Sequence, residues 1–459
     1  MSEQLYTTEK GYVLKELYII SSNGKAVSIF NMMLELGIFE DIYNSSVSGY
    51  VLLNDSNDLF AITPLSGFEF IGVVLEKPGS QKNIVLEKMF RVYKMGAPDS
   101  NPSTTSNQSY VLHFCSEENL VSSSRRISKA YRGKTVSNII KDILVNHLSV
   151  SPSKVRAENI EETSGVHDIV IPFLNPLAAI AWLTSRTVSA TSKSSGANFM
   201  FYENTEGFNF KSLETLFQKP TKAKYTYSSK NREPSKNDTS LTEIREVIKY
   251  EFMNVFDTMS GINSGMFSST LKTIDLLKLQ ASDYTMNYKD FFENTSHIEK
   301  GKKAFGFQNE YQDRFKNTTQ ENYYSVMRMY PTNKGHDTDS IISAKQPSIK
   351  QNFVEKWMLQ RITQINQLNF VKVKLVIPGD TFITVGDIIE FQMPLVSTKD
   401  PGSTNYNPYH SGRYLITAIR HKINRDNYEM IVEGTRDSIS APYSSAKNDE
   451  PIISGIKKI

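Results

Sequence analysis

The sequence has a single cysteine, Cys115, among 459 residues. One cysteine excludes an internal disulfide framework and any zinc site built from several thiolates. An excess of charge of one sign is also missing, because 52 Lys and Arg stand against 49 Asp and Glu, for a net charge of +3. This balance argues against a chain that binds nucleic acid through bulk charge.

Long hydrophobic runs are lacking as well. The most apolar stretch, residues 169–183, is interrupted by Pro172, Asn175 and Pro176 and is too short to span a bilayer. The N-terminus, Met1–Gln4, has no basic patch followed by an apolar stretch, so it does not have the pattern of a secretory signal. We therefore expect a soluble, multidomain protein that is made in the cytosol and has no membrane segment.

Motifs of the common nucleotide-binding and hydrolytic sites are missing. The chain has no Walker loop, no dinucleotide-binding GxGxxG and no GxSxG elbow. Residues 261–265 resemble the elbow only loosely, because their serine sits one place late, and we interpret them as a flexible turn. None of the seven histidines pairs with another at i, i+4, so the sequence gives no local support for a metal or cofactor site.

Three carboxylates, Asp380, Asp387 and Glu390, lie close together in the sequence, and a pair of such groups is what a glycosidase needs. Asp380 and Asp387 each follow a glycine, however, and an Asp at such a place between strands typically bonds its own backbone in a turn. We interpret both as turn residues, and we expect no enzyme activity.

Strands are predicted at both ends of the chain by runs of β-branched and aromatic residues that end at turn clusters. They cover 14–20, 49–53, 68–76, 84–93 and 110–115, and then 370–377, 388–392, 414–423 and 428–433. Short helical turns are predicted at 32–36 and 59–62. Strands at this spacing are typical of a sandwich or a barrel.

Between these ends the sequence is mixed. Apolar residues recur with helical spacing from Val136 to Leu148 behind Thr135, which can cap a helix. Asn175 and Pro176 have the pattern of a second helix start, because proline is favoured at the first helical position. The segment therefore predicts a separate unit of helices and strands.

Four further segments complete the reading of the chain. A β-hairpin is predicted over 199–210, and 219–238 is interpreted as a linker or surface loop. The polar, weakly periodic segment 268–350 is interpreted as an inserted domain or large loop. A last helical stripe covers 354–365.

One run of basic residues has no acid near it, since none occurs between Val121 and Lys141. Its members, called the basic run below, are Arg125, Arg126, Lys129, Arg132 and Lys134. Two interpretations stay open. The run is either a nucleic-acid or phosphate patch, or a face that is solvated or pairs with acids of a neighbouring chain.

Five groups of residues occur in a recognisable order. They are 39–42 with 49–56 and 64–69; 110–118 with 126–128; 201–204 with 207–213; 376–380 with 385–387; and 412–428 with 436–438. Together they resemble the baseplate central hub proteins of contractile-tailed (myovirus) bacteriophages, over nearly the whole chain apart from about 268–350. The resemblance marks as family-signature positions Asp55, Gly67, Glu69, Gly207, Gly379, Gly386, Asp387, Gly412, Tyr414, His421, Arg436 and Asp437.

The resemblance implies a structural virion protein of the tail baseplate, made in the host cytoplasm, with no enzyme activity and no cofactor. Such proteins assemble as homotrimers with two similar barrels per chain, so that six barrels continue the six-fold tail tube and the other face holds a trimeric spike. The implied partners are the tail tube or a tube-initiator protein, the central spike protein and other baseplate proteins. Genomic DNA passes through the lumen without specific binding.

The fold expected on this basis is a β-rich α+β fold with two tail-tube-like antiparallel β-barrels. We assign 1–118 to the first barrel, 119–236 to an α/β domain, 237–267 with 351–440 to the second barrel, 268–350 to an insertion or large loop domain, and 441–459 to a C-terminal tail. The tail is either a disordered end or a peptide that adds to a partner's sheet edge.

The expected DNA conduit sets a requirement on the charge of its wall. Because a channel that passes DNA should not hold phosphate strongly, we expect few unpaired basic residues on the lumen face.

Another possibility is the hub of a phage-derived contractile injection system, a tailocin or secretion spike. Secretion spikes usually continue into a needle region, whereas nothing follows residue 459 here, which favours a separate spike. Alternatives of other classes are a tail-associated cell-wall hydrolase and a sugar-binding module.

Overall fold

The structure is a computed structural model in which the elements follow the sequence pattern closely. It describes residues 6–7, 12–21, 23–56, 59–62, 65–76, 84–96, 108–191, 196–227, 245–275, 279–299, 303–304, 326–332, 354–369, 371–394, 406–407, 409–425 and 427–439. The predicted tail 441–459 lies outside these residues.

The described part of residues 1–115 forms strands, as predicted, with a 3-10 turn at Phe30–Met32 and one short α-helix. The elements are β1 (Tyr6–Thr7), β2 (Val13–Ile20), β3 (Ala26–Ser28), β4 (Met33–Asp41), β5 (Ser48–Asp55), α1 (Leu59–Ile62), β6 (Phe70–Glu76), β7 (Ile84–Met95) and β8 (Gln108–Cys115). The predicted helix at 59–62 is confirmed. The helical turn predicted at 32–36 is wrong, because Met33 already begins β4, which has strand partners on both sides.

The mixed segment contains both predicted helices. Its elements are α2 (Glu117–Ser124), β9 (Ala130–Lys134), α3 (Val136–Asp142), β10 (His167–Val170), α4 (Pro176–Thr184), β11 (Phe199–Asn204), β12 (Gly207–Ser212) and α5 (Leu213–Phe217). The predicted caps are confirmed: Thr135 accepts a hydrogen bond from the Asn138 N–H at 3.4 Å, and Asn175 accepts one from the Ala178 N–H at 2.7 Å. After α3 the chain continues as a π-helix over Ile143–His147.

The rest of the chain returns to strands. Its elements are β13 (Thr221–Thr226), β14 (Lys249–Asn254), α6 (Thr258–Ser264), β15 (Ser268–Asp275), β16 (Gln280–Asn287), α7 (Tyr288–Asn294), β17 (Lys303–Ala304), β18 (Val326–Thr332), α8 (Met358–Leu368), β19 (Val371–Pro378), β20 (Ile388–Gln392), β21 (Gly412–Asn424), β22 (Tyr428–Arg436) and β23 (Ser438–Ile439). The first part of the segment interpreted as a linker is strand β13, which pairs in parallel with β20, so that interpretation is wrong there.

One sheet of 14 strands joins the two β-rich ends of the chain. Its order is β1-β2-β6-β7-β8-β5-β4-β21-β22-β19-β14, with β3 beside β2, β20 beside β21, and β13 beside β20. The two ends meet where β4 pairs antiparallel with β21 over 35–41 and 418–424. This β4–β21 contact is called the seam below.

The described residues form three apolar cores, which follow the arrangement of the sheets. The largest contains buried residues from both ends of the chain, for example Leu53, Leu112 and Val432. A second core lies in the mixed segment around Ile139, and a third lies around Leu271, on the three-stranded sheet β16-β15-β18. The sheets are mostly antiparallel, which confirms the β-rich α+β class, whereas the division into two barrels and the assigned domain boundaries stay predictions.

Candidate functional site

A buried carboxylate and a buried histidine lie side by side at the seam. Glu40 on β4 and His421 on β21 are 1% and 4% exposed, and the Nε2 atom of His421 lies 3.6 Å from Oε1 of Glu40. The other ring nitrogen, Nδ1, lies 2.8 Å from the Tyr428 hydroxyl. Glu40 also accepts hydrogen bonds from the Thr384 hydroxyl at 2.6 Å and the Val385 N–H at 3.3 Å. One carboxylate therefore holds both β21 and the turn that precedes β20.

The electrostatics of Glu40 agree with an ionised group. Burial alone would raise its pKa, but the neighbouring His421 and Lys88 side chains and the hydrogen bond from Thr384 outweigh burial, and the pKa lies below its ordinary value. A buried carboxylate needs such partners, because an uncompensated charge in an apolar interior is costly.

The turn between β19 and β20 contacts two distant parts of the chain, and its own backbone, through Asp380. Its carboxylate accepts hydrogen bonds from the hydroxyls of Tyr225 at 3.0 Å and Tyr12 at 3.4 Å, and from the Phe382 N–H at 3.0 Å. The last contact confirms the turn interpretation. Gly379 lies close against the Tyr428 ring. A Cβ atom at this position would lie 2.0 Å from Cδ1 of that ring.

The same turn contacts the mixed segment through Gly386 and Asp387. The carboxylate of Asp387 lies 2.7 Å from Nζ of Lys222 and 3.5 Å from Nζ of Lys219, and it accepts the Thr384 N–H at 3.1 Å. Gly386 has a φ of +85°, and a Cβ atom there would lie 2.0 Å from the hydroxyl of the fully buried Tyr202. Asp387 thus serves the turn, as interpreted, and also an ionic contact that the sequence did not reveal.

A second buried cluster ties the segment after α7 to the end of β22. His297 Nδ1 lies 2.7 Å from Oδ2 of Asp437, and Oδ1 of Asp437 accepts the Ile298 N–H at 3.1 Å. Glu299 donates its N–H to the Ser438 hydroxyl at 2.9 Å and accepts the Arg413 N–H at 2.7 Å. We call this set the Asp437 clasp.

The charge state of the Asp437 clasp follows from its contacts. Burial would lower the pKa of His297, but the charge of Asp437 and the hydrogen bond to it outweigh burial and raise the pKa. The contact with Asp437 therefore favours the protonated form of the ring.

The remaining signature positions of the clasp region lie beside it. Arg436 is fully buried, donates to the Ser411 carbonyl at 3.0 Å, and its guanidinium carbon lies 5.0 Å from the centre of the Tyr414 ring. Gly412 has a φ of +140°, and a Cβ atom there would lie 2.5 Å from Oε1 of Glu299. These positions hold strand ends together rather than forming an open site.

In the first 115 residues the signature positions are local. Asp55 accepts the Leu59 N–H at 2.7 Å at the start of α1 and the Tyr110 hydroxyl at 3.1 Å. Glu69 accepts N–H groups from Ser66 at 2.6 Å and from Gly67 at 2.8 Å.

Gly207 turns the β11–β12 hairpin with a φ of +127°. A Cβ atom there would lie 2.6 Å from the Lys154 carbonyl oxygen. The signature positions therefore do not converge on one pocket; they mark turns and contacts between segments.

The sequence did not predict several of the residues that form these contacts, above all Glu40, Tyr202 and His297. A signal existed for Glu40, because it is a charged residue in the quoted motif 39–42 and lies among buried apolar residues of β4. Nothing in the sequence links His297 to Asp437, since 140 positions separate them.

Two other predicted features are resolved by local geometry. Residues 261–265 are not a flexible turn: 261–264 belong to α6, which ends at Gly265 with a φ of +79°. The helix forms because Asp257 caps it, accepting the Ser260 N–H at 2.8 Å. Glu390, the third acid of the possible glycosidase group, pairs with Lys224 at 3.3 Å.

The basic run lies on the mixed segment, around β9. Arg125, Arg126, Arg132 and Lys134 are exposed. Lys129 pairs with Asp142 at 2.7 Å, so one member of the run has an acidic partner within its own chain. That contact, with hydrogen bonds from Tyr131 and Asn146, outweighs burial and lowers the pKa of Asp142 to about 2.

Two further kinds of feature, metal-site groups and membrane-spanning helices, are absent from the described residues. Among the described residues no three or more His, Cys, Asp or Glu side chains are grouped as a metal site would require. No helix in the described part of the chain is long and apolar enough to span a membrane.

The chain is similar to known proteins in sequence and in fold. No family model matches the chain. A probable baseplate hub protein of Vibrio phage KVP40, gp334, is 23% identical over 423 residues, which cover 90% of this chain and 92% of the relative. The tail protein of Neisseria meningitidis MC58 superimposes with a TM-score of 0.50 at 12% identity, covering 94% of this chain and 98% of its own.

A 43 kDa tail protein of prophage MuSo2 from Shewanella oneidensis gives a TM-score of 0.49 at 11% identity, over 93% of this chain and all of its own. The chain thus resembles a phage baseplate hub protein in sequence along nine-tenths of its length, and it shares its fold with a tail protein.

Proposed function

We propose that the chain is a structural hub of a phage tail baseplate, a trimeric adaptor that joins the six-fold tail tube to the trimeric central spike. The observation that carries the proposal is the 23% identity to a probable baseplate hub protein over nine-tenths of both chains. The mostly antiparallel fold, similar to a tail protein, supports it.

The buried contacts suit a part that transmits force. The seam joins the two ends of the chain through seven backbone pairs, and Glu40 adds a charged link across it. The Asp437 clasp fixes the segment after α7 to the same sheet. A hub loaded from the tube on one face and the spike on the other needs its segments to move as one body, and buried polar contacts between segments provide this.

The proposal includes a lumen through which genomic DNA passes without specific binding. In support, residues 1–115 carry 8 basic and 12 acidic residues, a net charge of −4. A channel wall of this sign does not hold phosphate, since each close Lys or Arg would add salt-dependent attraction. The location in the virion baseplate, after synthesis in the host cytoplasm, belongs to the same proposal.

The proposed role is not enzymatic. The carboxylates that could have formed a catalytic pair, Asp380 and Asp387, are used by turns and by tyrosine and lysine partners. Zymography on cell-wall substrate tests this directly, and a cleared band from the purified chain would establish the hydrolase alternative instead.

Assembly is the decisive test. Light scattering should give three times the 52.1 kDa chain mass. Mixing with the tube and spike proteins of the same phage should then give complexes that co-elute. A stable monomer that binds neither protein would overturn the proposal, whereas a trimer that binds a secretion needle would favour the injection-system alternative.

A further inference from the structure

The outer face of the β9–β10 pair and the chain that follows β10 carry an exposed apolar surface. Ala130 on β9 and Val170 on β10 are cross-strand partners, and both are exposed, Val170 at 64%. Pro172 and Phe173 continue the exposed surface, with Phe173 at 69%. We call these four residues the hairpin patch. Adjacent exposed apolar residues of this kind mark interaction surfaces more often than isolated ones do.

The backbone holds Phe173 in an unfavourable conformation. Its φ is +51°, a region that side chains with a Cβ atom rarely adopt. The segment is fixed on both sides, because the Ile171 N–H donates to the Lys129 carbonyl at 3.0 Å and the Ile127 N–H donates to the Leu174 carbonyl at 2.8 Å. A strained residue that is fixed in place and presents an aromatic ring to solvent is typical of a functional surface.

Positive charge lies beside the hairpin patch, together with one exposed carboxylate on β10, Asp168, which accepts the Gly133 N–H at 2.7 Å. No carboxylate of the described residues lies within ion-pair distance of Arg125, Arg126, Arg132 or Lys134. Arg126 donates only to the backbone carbonyls of Ser123 and Arg125, and Arg132 shares the outer face of β9 with Ala130. Arg125 donates to the His147 carbonyl, but none of the three guanidinium groups has a carboxylate partner among the described residues, so they are available to an incoming anion.

We propose that the hairpin patch and the four unpaired cations bind an acidic protein segment that places an apolar side chain against Phe173 and Val170. Charge complementarity selects an acidic partner, and the apolar centre selects a protein. Aromatic and arginine side chains are the residues enriched at such interfaces. Duplex DNA presents ridges of phosphate, which would leave Val170 and Pro172 uncovered.

This binding surface goes beyond the proposed hub role and does not depend on it, since it concerns the purified chain alone. The experiment uses fluorescence polarisation with the full chain and a labelled peptide in which Glu and Asp alternate with Leu and Phe. Matched probes are the same peptide with Ser in place of Leu and Phe, single-stranded and duplex DNA, and vesicles of anionic lipid.

We expect the acidic apolar peptide to bind, and the Ser-containing peptide to bind about tenfold more weakly. Phe173→Asn should weaken binding about tenfold, since Asn tolerates a positive φ and the variant keeps its backbone. The double variant Arg126→Gln, Arg132→Gln should weaken binding and reduce its salt dependence. It alters no strained residue, so it tests the proposal even if Phe173→Asn folds poorly.

Matched controls lie elsewhere on the surface. Phe256 is 70% exposed, so Phe256→Asn removes an equally exposed ring and should leave binding unchanged. Lys25→Gln with Lys94→Gln removes two exposed cations outside the patch and should also have no effect. The proposal is overturned if the peptide does not bind, if the Ser-containing peptide binds equally well, or if DNA or vesicles bind more tightly than the peptide and lose binding in the same variants.

Discussion

His421 and Glu40 lie diagonally across the seam, with 3.6 Å between Nε2 and Oε1, and they come from opposite ends of the chain. Nδ1 of His421 contacts the Tyr428 hydroxyl. The other carboxylate oxygen of Glu40 accepts hydrogen bonds from the Thr384 hydroxyl and the Val385 N–H. The seam is thus joined both by its backbone pairs and by a buried polar network.

Removing Glu40 should therefore destabilise the whole sheet. Glu40→Ala leaves the buried Thr384 hydroxyl and Val385 N–H without their acceptor, and each buried donor left unpaired costs about 1–3 kcal/mol. Urea unfolding at neutral pH measures the loss. Glu35→Ala is the matched control, since Glu35 lies on the same strand and pairs with Arg420 and Lys422 nearer the surface, where about 1 kcal/mol or less is expected. Equal losses for the two variants would show that the buried pair has no special role.

The Asp437 clasp should weaken as pH rises. The pKa of His297 is raised in the folded state, so its stabilising charge is complete below the ordinary histidine pKa and is lost as pH rises through the folded value. Hydrogen exchange at Ile298 and Glu299 should accelerate from pH 6 to pH 9. His297→Gln should make exchange at these amides faster at low pH and remove most of this pH dependence, after allowance for the intrinsic exchange rate. Identical pH profiles for the two proteins would contradict the assignment.

Two glycines with positive φ should respond very differently to alanine. Gly386→Ala adds a Cβ atom 2.0 Å from the Tyr202 hydroxyl, whereas Gly67, with a φ of +87°, has nothing within 4 Å of that position. Gly67→Ala then reports the backbone cost alone, about 1–2 kcal/mol. Gly386→Ala should cost about 1–3 kcal/mol more, because the clash forces buried atoms to move. Thermal unfolding of both variants checks the difference, and equal Tm values would mean that Tyr202 moves aside freely.

The strain at Phe173 predicts an unusual substitution series. Phe173→Gly removes an exposed ring and relieves a positive φ, so the free energy of unfolding should change by about 1 kcal/mol or less in either direction. Phe173→Val keeps a Cβ atom and adds a branch, and it should be the less stable of the two variants. Urea unfolding separates them, and a Val variant more stable than the Gly variant would show that the conformation is relaxed.

How much of the molecule is predictable from sequence depends on the range of the signals. Thr135 and Asn175 cap their helices as predicted, because a cap needs only a residue and its neighbours three positions on. The strand β4 was not predicted because the 3-10 turn before it, Phe30–Met32, and its apolar spacing resemble a helix locally. The strand conformation of β4 is decided by its pairing with β21, which no local sequence pattern encodes.

The candidate site divides in the same way. Asp380 and Asp387 were identified as turn residues from the glycines before them, and both do serve turns. Their partners Tyr12, Tyr225 and Lys222 arrive from distant segments, so the second role of each carboxylate could not be predicted. The basic run was visible at once, but the exposed Phe173 beside it depends on a backbone angle.

The seam also sets the order in which the protein can be completed. Glu35 and Arg420, which meet there, are separated by 385 positions, so β4 waits for its partner while the intervening chain is made. At typical rates of synthesis this takes roughly 20 to 75 s. Throughout that interval β4 is an open sheet edge, the kind of edge that pairs wrongly with other chains. Timely arrival of β21 therefore decides whether a newly made chain closes its own sheet or aggregates.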